Sequence, residues 1–161
     1  MSIRIAFPQA IHEVGGRNKN EDSIWPLISQ ATQLDRLFLV CDGVGGASRG
    51  EVASRIVVEG FATYFQDHPP GTNLDKHYLV QALRAVESQM SAYIQAHPES
   101  KGMATTLTLL YLGNEKATIA WIGDSKVYQF RKGKVVYETQ DHSLVEQLVR
   151  EGVITAEEAE N

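Results

Sequence analysis

The sequence holds a single cysteine, Cys41, which excludes an internal disulfide and suits a reducing compartment. No apolar run approaches membrane-spanning length, and the amino terminus lacks a basic-then-apolar leader. A cytoplasmic protein without membrane attachment is therefore expected. Positive charge is scarce: 15 Lys and Arg stand against 20 Asp and Glu, a net charge of -5. That balance leaves no electrostatic footprint for nucleic acid. The five histidines show no metal-ligand spacing, and no Gly-x-Ser-x-Gly elbow is present to anchor acyl transfer. Internal repeats and low-complexity tracts are also missing. What is there is 161 residues, 43% hydrophobic and 22% charged. That is enough for one globular domain with a sizeable core.

The most informative stretch is Val40-Cys41-Asp42-Gly43-Val44-Gly45-Gly46-Ala47-Ser48-Arg49-Gly50. An apolar run from Leu37 to Cys41 reads as a buried strand, and an amphipathic helix follows the glycines. Asp42 falls where the strand hands over to the loop, which suggests a metal-holding turn. Three rival readings lose ground. As a dinucleotide fingerprint, Gly43-x-Gly45-x-x-Ser48 lacks its third glycine and puts a carboxylate beside the pyrophosphate. As a P-loop, Gly45-x-x-x-x-Gly50 is followed by Glu51 where a lysine is needed. As a cysteine phosphatase, Cys41 lacks a neighbouring cation to lower its thiol pKa, and Asp42 would raise it. A plain structural turn stays open, because Gly and Asp are ordinary turn residues.

Along the chain, Ile3 to Val14 alternates loosely around Pro8 and is expected to form an edge strand. Residues 15–22 read as a polar loop, with Ser23 to Ser29 and Arg36 to Cys41 as the next two strands. Helices are expected over Glu51 to Gln66 and Leu74 to Ala96, broken by His68-Pro69-Pro70-Gly71. Strands over Ala104 to Leu112 and Lys116 to Ile122 flank a turn at residues 113–115. A second hairpin joins Lys126 to Arg131 with Lys134 to Tyr137. Ser143 opens a further helix that Gly152 stops, and Thr155 with Glu158 is spaced as a capping box.

The acids Glu21, Asp22, Asp42, Asp124 and Asp141 lie at strand ends or in the loops between them. Loops at one end of a sheet can converge such carboxylates on a hard cation such as Mg²⁺ or Mn²⁺. The alternative is that each acid serves its own turn. Arg17 offers a planar fork suited to phosphate, although a lone loop arginine is often only solvated. His142, beside Asp141, is a candidate acid near neutral pH or a backbone-bonded helix-start residue.

Five motifs in order resemble the bacterial metal-dependent protein phosphatases, the PPM or protein phosphatase 2C-like family. They are Gly16-Arg17-x-x-Asn20-Glu21-Asp22; Cys41-Asp42-Gly43-Val44-Gly45-Gly46 with Gly50-Glu51-x-Ala53-Ser54; Gly102-Met103-Ala104-Thr105-Thr106; Trp121-Ile122-Gly123-Asp124-Ser125; and Asp141-His142-Ser143 leading to Gly152-Val153-Ile154-Thr155-x-Glu157-Glu158-Ala159. The resemblance implies an α+β fold, an α-β-β-α sandwich of two antiparallel sheets flanked by helices. It also implies hydrolysis of phosphoserine and phosphothreonine in proteins by a water bridging two Mn²⁺ or Mg²⁺ ions. The partner would be a phosphoprotein, opposing a Ser/Thr kinase. Carried over by residue, Asp42 would bridge both metals, Gly43 would offer its carbonyl, and Glu21 would ligate one metal with Asp22 ordering its waters. Arg17 would hold the phosphate, and Asp124 would serve a weaker third metal. Residues from about Ser143 would begin a flap.

Three departures qualify the resemblance. Lys126 stands where the family usually has arginine, and Val44 replaces the histidine of eukaryotic members. The later Ser-Asp-Gly and Asp-Asn motifs, whose aspartates complete the first metal site, do not occur. Residues 1–161 are thus expected to be one truncated phosphatase domain, impaired or inactive alone. A non-catalytic phosphopeptide-binding module is the alternative.

Overall fold

Side-chain alternation in the strand Leu37–Val44 sets the frame of the molecule. Leu37, Leu39, Cys41 and Gly43 are buried on one face, while Val40, Asp42 and Val44 are exposed on the other. In the computed structural model, which describes residues 3–44, 49–71 and 74–142, this strand is β2. Around it run β1 (Asp22–Trp25), α1 (Gly50–Asp67), α2 (Lys76–Ala96), β3 (Ala104–Thr105), β4 (Leu107–Leu112), β5 (Ala117–Ile122), β6 (Tyr128–Arg131) and β7 (Lys134–Glu138).

The larger sheet is antiparallel throughout, in the order β1-β2-β4-β5, with β3 continuing beside the end of β2. Its buried face receives α1, and α2 packs on α1. Leu37, Leu39 and Cys41 of β2 and Leu107 and Leu109 of β4 meet Val57, Val58, Phe61 and Phe65 of α1 in one core, which Ala82 and Val86 of α2 complete. The helices start within two residues of the expected positions, at Gly50 for Glu51 and at Lys76 for Leu74, and the Asp75 carboxylate caps α2 by accepting the Tyr78 N–H at 2.8 Å. The second sheet, β6 with β7, lies across the opposite face, where Val127, Tyr128, Phe130 and Tyr137 share an apolar cleft with Leu110, Leu112 and Ile119. Two antiparallel sheets and two helices thus give the α-β-β layers of the expected α+β sandwich. Among the described residues there is no second helical layer.

Three expectations need correction. Ile3 to Val14 forms no strand: Pro8 cannot donate to a ladder, and Pro8 to His12 lie instead over Ile24, Trp25, Phe38 and Val40. The strand expected over Ser23 to Ser29 stops at Trp25, where a proline with no N–H follows and residues Ile28–Gln30 turn as a 3-10 helix. β2, in contrast, runs beyond Cys41 to Val44, because β1 and β3 supply pairing partners for its last residues. The helix expected from Ser143, its flap role, and the capping box of Thr155 and Glu158 lie outside the described residues, as do residues 45–48.

Candidate metal centre

Antiparallel pairing of β1 with β2 places Asp22 directly opposite Asp42. Asp42 therefore belongs to a strand and not to a turn, and its backbone is held on both sides. Its N–H donates to the Thr106 hydroxyl at 2.9 Å, and its carbonyl accepts from the Thr106 N–H and the Thr105 hydroxyl, both at 2.9 Å. Thr106 sits in the break between β3 and β4 and also shares a 2.7 Å hydrogen bond with the Ser125 hydroxyl. That bond ties the Asp42 strand to the loop of Asp124.

The next residue, Gly43, touches the start of α1 backbone to backbone. A Cβ on Gly43 would collide with the Gly50 carbonyl group and come within 2.6 Å of the Glu21 carbonyl oxygen. A Cβ on Gly50 would lie 2.8 Å from the Gly43 carbonyl carbon. Both positions need glycine for close approach rather than for an unusual φ. The Glu21 carbonyl is fixed in the same place, accepting the Gly43 N–H at 3.1 Å and the buried Ser54 hydroxyl of α1 at 2.6 Å.

These contacts shape an open cleft of about 480 Å³ lined by Arg17, Glu21, Asp42, Gly43, Val44, Thr106 and Asp124. Five of the six residues expected from the sequence meet there. Asp22 faces Asp42 from the neighbouring strand without lining the cleft. The Asp42 carboxyl is held above its usual pKa, first by partial burial and next by the charge and close approach of Asp22. Asp124 adds to the rise, and Arg17 opposes it. Glu21, whose side chain is only 10% exposed, is gripped by Lys19: the Lys19 ammonium lies 2.9 Å from the Glu21 carboxylate and 2.8 Å from that of Glu51 on α1.

The donor set, carboxylates plus a backbone carbonyl, is all oxygen, which is the chemistry a hard divalent cation takes. The Asp42 carboxyl is raised first by partial burial and then by its acidic neighbours, so a bound cation would favour its charged form. Among the described residues, however, no group of three His, Cys, Asp or Glu is arranged to hold a metal ion. The residues fit part of a coordination shell. His142 lies elsewhere: its N–H donates to the Gly123 carbonyl at 2.9 Å and its ring stacks on Trp121, 5.1 Å between centroids. That bond is made by its main chain, and the helix expected to start beside it lies outside the described residues.

Sequence reasoning gave no role to Lys19, Ser54 or Thr106. Thr106 and Ser54 lay inside quoted motifs, where a small hydroxyl beside a glycine-rich strand end was the available signal. Lys19, in a polar loop, carried none.

The layered fold and its acid cleft define a class, and sequence comparison agrees: residues 12–155 match the protein phosphatase 2C family, and the chain belongs to it. It is 38% identical over 143 residues to the serine/threonine protein phosphatase PstP of Mycobacterium tuberculosis, covering 89% of this chain and 26% of that protein. It is 29% identical over 147 residues to the serine/threonine phosphatase stp of Listeria monocytogenes, covering 90% of this chain and 58% of that protein. Among solved structures, the PstP catalytic domain in complex with two manganese ions superposes with a TM-score of 0.70 at 35% identity, covering 99% of this chain and 61% of that one. Staphylococcus aureus Stp1 gives 0.69 at 30% identity, covering 98% and 61%. The chain thus spans between about a quarter and three-fifths of the length of these relatives.

Proposed function

We propose that this chain carries the phosphate-binding and first metal-binding elements of an enzyme that hydrolyses phosphoserine and phosphothreonine in proteins. The observation behind this reading is the cleft in which Arg17 meets the carboxylates of Glu21, Asp42 and Asp124 and the backbone of Gly43. Two Mn²⁺ or Mg²⁺ ions held by Glu21, Asp42 and the Gly43 carbonyl would acidify water and offset charge on phosphoryl oxygens. Asp22 would order water beside Asp42, and Asp124 would hold a weaker third ion. Arg17 positions the phosphoryl group through its planar fork. Thr106 and Ser54 keep the Asp42 and Glu21 backbones in place, so the acids meet the ligand already arranged. The names of the relatives and the manganese-bound PstP structure support the reading. The substrate would be a phosphoprotein made by an opposing Ser/Thr kinase.

The test is Mn²⁺-dependent release of phosphate from a phosphothreonine peptide by this chain and by any longer gene product that contains it, each with and without Asp42→Ala. Release that vanishes in the variant supports the reading, and equal release with and without the substitution defeats it. A second reading draws on the lack, among the described residues, of a three-ligand metal group. In it the chain binds phosphorylated peptide through Arg17 without turning it over. Peptide binding that survives EDTA, with no phosphate released even by the longest natural product, would favour this alternative.

A further inference from the structure

Glu21 is held at three points, and only one of them involves its carboxylate. Its carbonyl oxygen is fixed by Gly43 of β2 and Ser54 of α1. The carboxylate itself meets the ammonium of Lys19 at 2.9 Å, and the same ammonium reaches Glu51 in the first turn of α1 at 2.8 Å. Lys19 therefore lies between two acids, one lining the cleft and one outside its lining. Its side chain is 54% exposed, whereas that of Glu21 is 10% exposed. A lysine ammonium is a compact point charge with three donors, able to serve both carboxylates at once. It also presents positive charge at the carboxylate where a cation would bind.

We propose that Lys19 is a built-in counter-ion that competes with a divalent cation for Glu21 and so sets the metal affinity of the cleft. Glu51 is the other half of the device, because it holds the ammonium when Glu21 is given up to a metal. The proposal rests on the reading of the cleft as a metal site and adds a regulating residue to it. Two opposed consequences follow. Removing the Lys19 charge tightens metal binding, because Glu21 is released and a repelling charge is lost. Removing the Glu51 charge weakens it, because Lys19 is then left to Glu21 alone.

The experiment measures Mn²⁺ affinity of the full chain by isothermal titration, with electron paramagnetic resonance of free Mn²⁺ as a check. The variants are Lys19→Met, Lys19→Arg, Glu51→Gln and Asp42→Asn. Lys19→Met should bind roughly three- to five-fold tighter than wild type, the scale of an exposed ion pair. Lys19→Arg should match wild type, and Glu51→Gln should bind more weakly. The Lys19→Met gain should shrink as salt is raised and the exposed charges are screened. Unchanged or weaker binding by Lys19→Met, with Asp42→Asn still impaired, overturns the counter-ion while leaving the metal site intact. Binding that Asp42→Asn does not impair, or no binding by wild type and Lys19→Met alike, overturns the metal reading and this inference with it.

Discussion

The two faces of β2 differ by one residue in register and entirely in what they do. Toward the helices, Leu39 and Cys41 are 1% and 0% exposed and Leu109 of the neighbouring strand is 0% exposed, so that side is dry and tightly packed. Toward the other side, Val40 is 47% exposed, and the next residue to point that way is Asp42, whose carboxyl is crowded by Asp22 and Asp124. Strand geometry forces this arrangement, since successive side chains point to opposite faces. The well-packed face fixes the backbone, and the backbone then holds acids together that repel one another.

The sharpest way to break the contrast is to move a cavity from one face to the other. Leu109→Ala should cost about 2–5 kcal/mol, read as a fall in denaturation midpoint, because it empties a site with no solvent exposure. Val40→Ala should cost under about 1 kcal/mol, since its side chain is already half in water. The reverse test is Asp42→Ala, which should weaken Mn²⁺ binding at least about 100-fold by titration, beyond the 10–100-fold typical of losing a ligand's own support. The same change should leave the unfolding midpoint of the metal-free chain unchanged or raised. Between these lies Gly43→Ala, where the new methyl meets the Gly50 backbone and should cost about 1–3 kcal/mol as overpacking does.

The smallest effect expected is on the chemistry of Cys41. Burial pushes its thiol pKa up to about 12. The reactive form is the thiolate, so labelling by a disulfide reagent at pH 8 should be negligible in the native chain and complete after denaturation. The sign is that of an acid with a raised pKa: labelling should appear only as the pH climbs toward that value. Fast labelling at pH 8 in native buffer would show that the helix side of β2 is open to water.

Much of the fold could be read from the sequence because the helix-facing pattern is strong. Val52, Val57 and Phe61, at helical spacing in α1, are buried, and Gly113 and Gly133 fall in the hairpin turns where expected. The site was legible as a set of residue types, with Arg17, Glu21, Asp42, Gly43 and Asp124 meeting in one cleft. Its backbone was not. Asp-Gly reads locally as a turn, but here the ladder partners on β1 and β3 carry β2 through it, a long-range effect no local pattern records. Ile3 to Val14 failed in the opposite sense, since loose alternation suggested pairing that Pro8 and the surface of the sheet do not provide. Lys19 was invisible because its importance comes from which two acids it reaches, and Glu51 is distant in sequence.

The contact of Gly43 with Gly50 also bears on how such a cleft can evolve. The two glycines act as a single locus divided between a strand and a helix, and neither can acquire a side chain first without a collision. A variant that gained a side chain at one glycine would have to shift the whole of α1 against β2 before it gained anything.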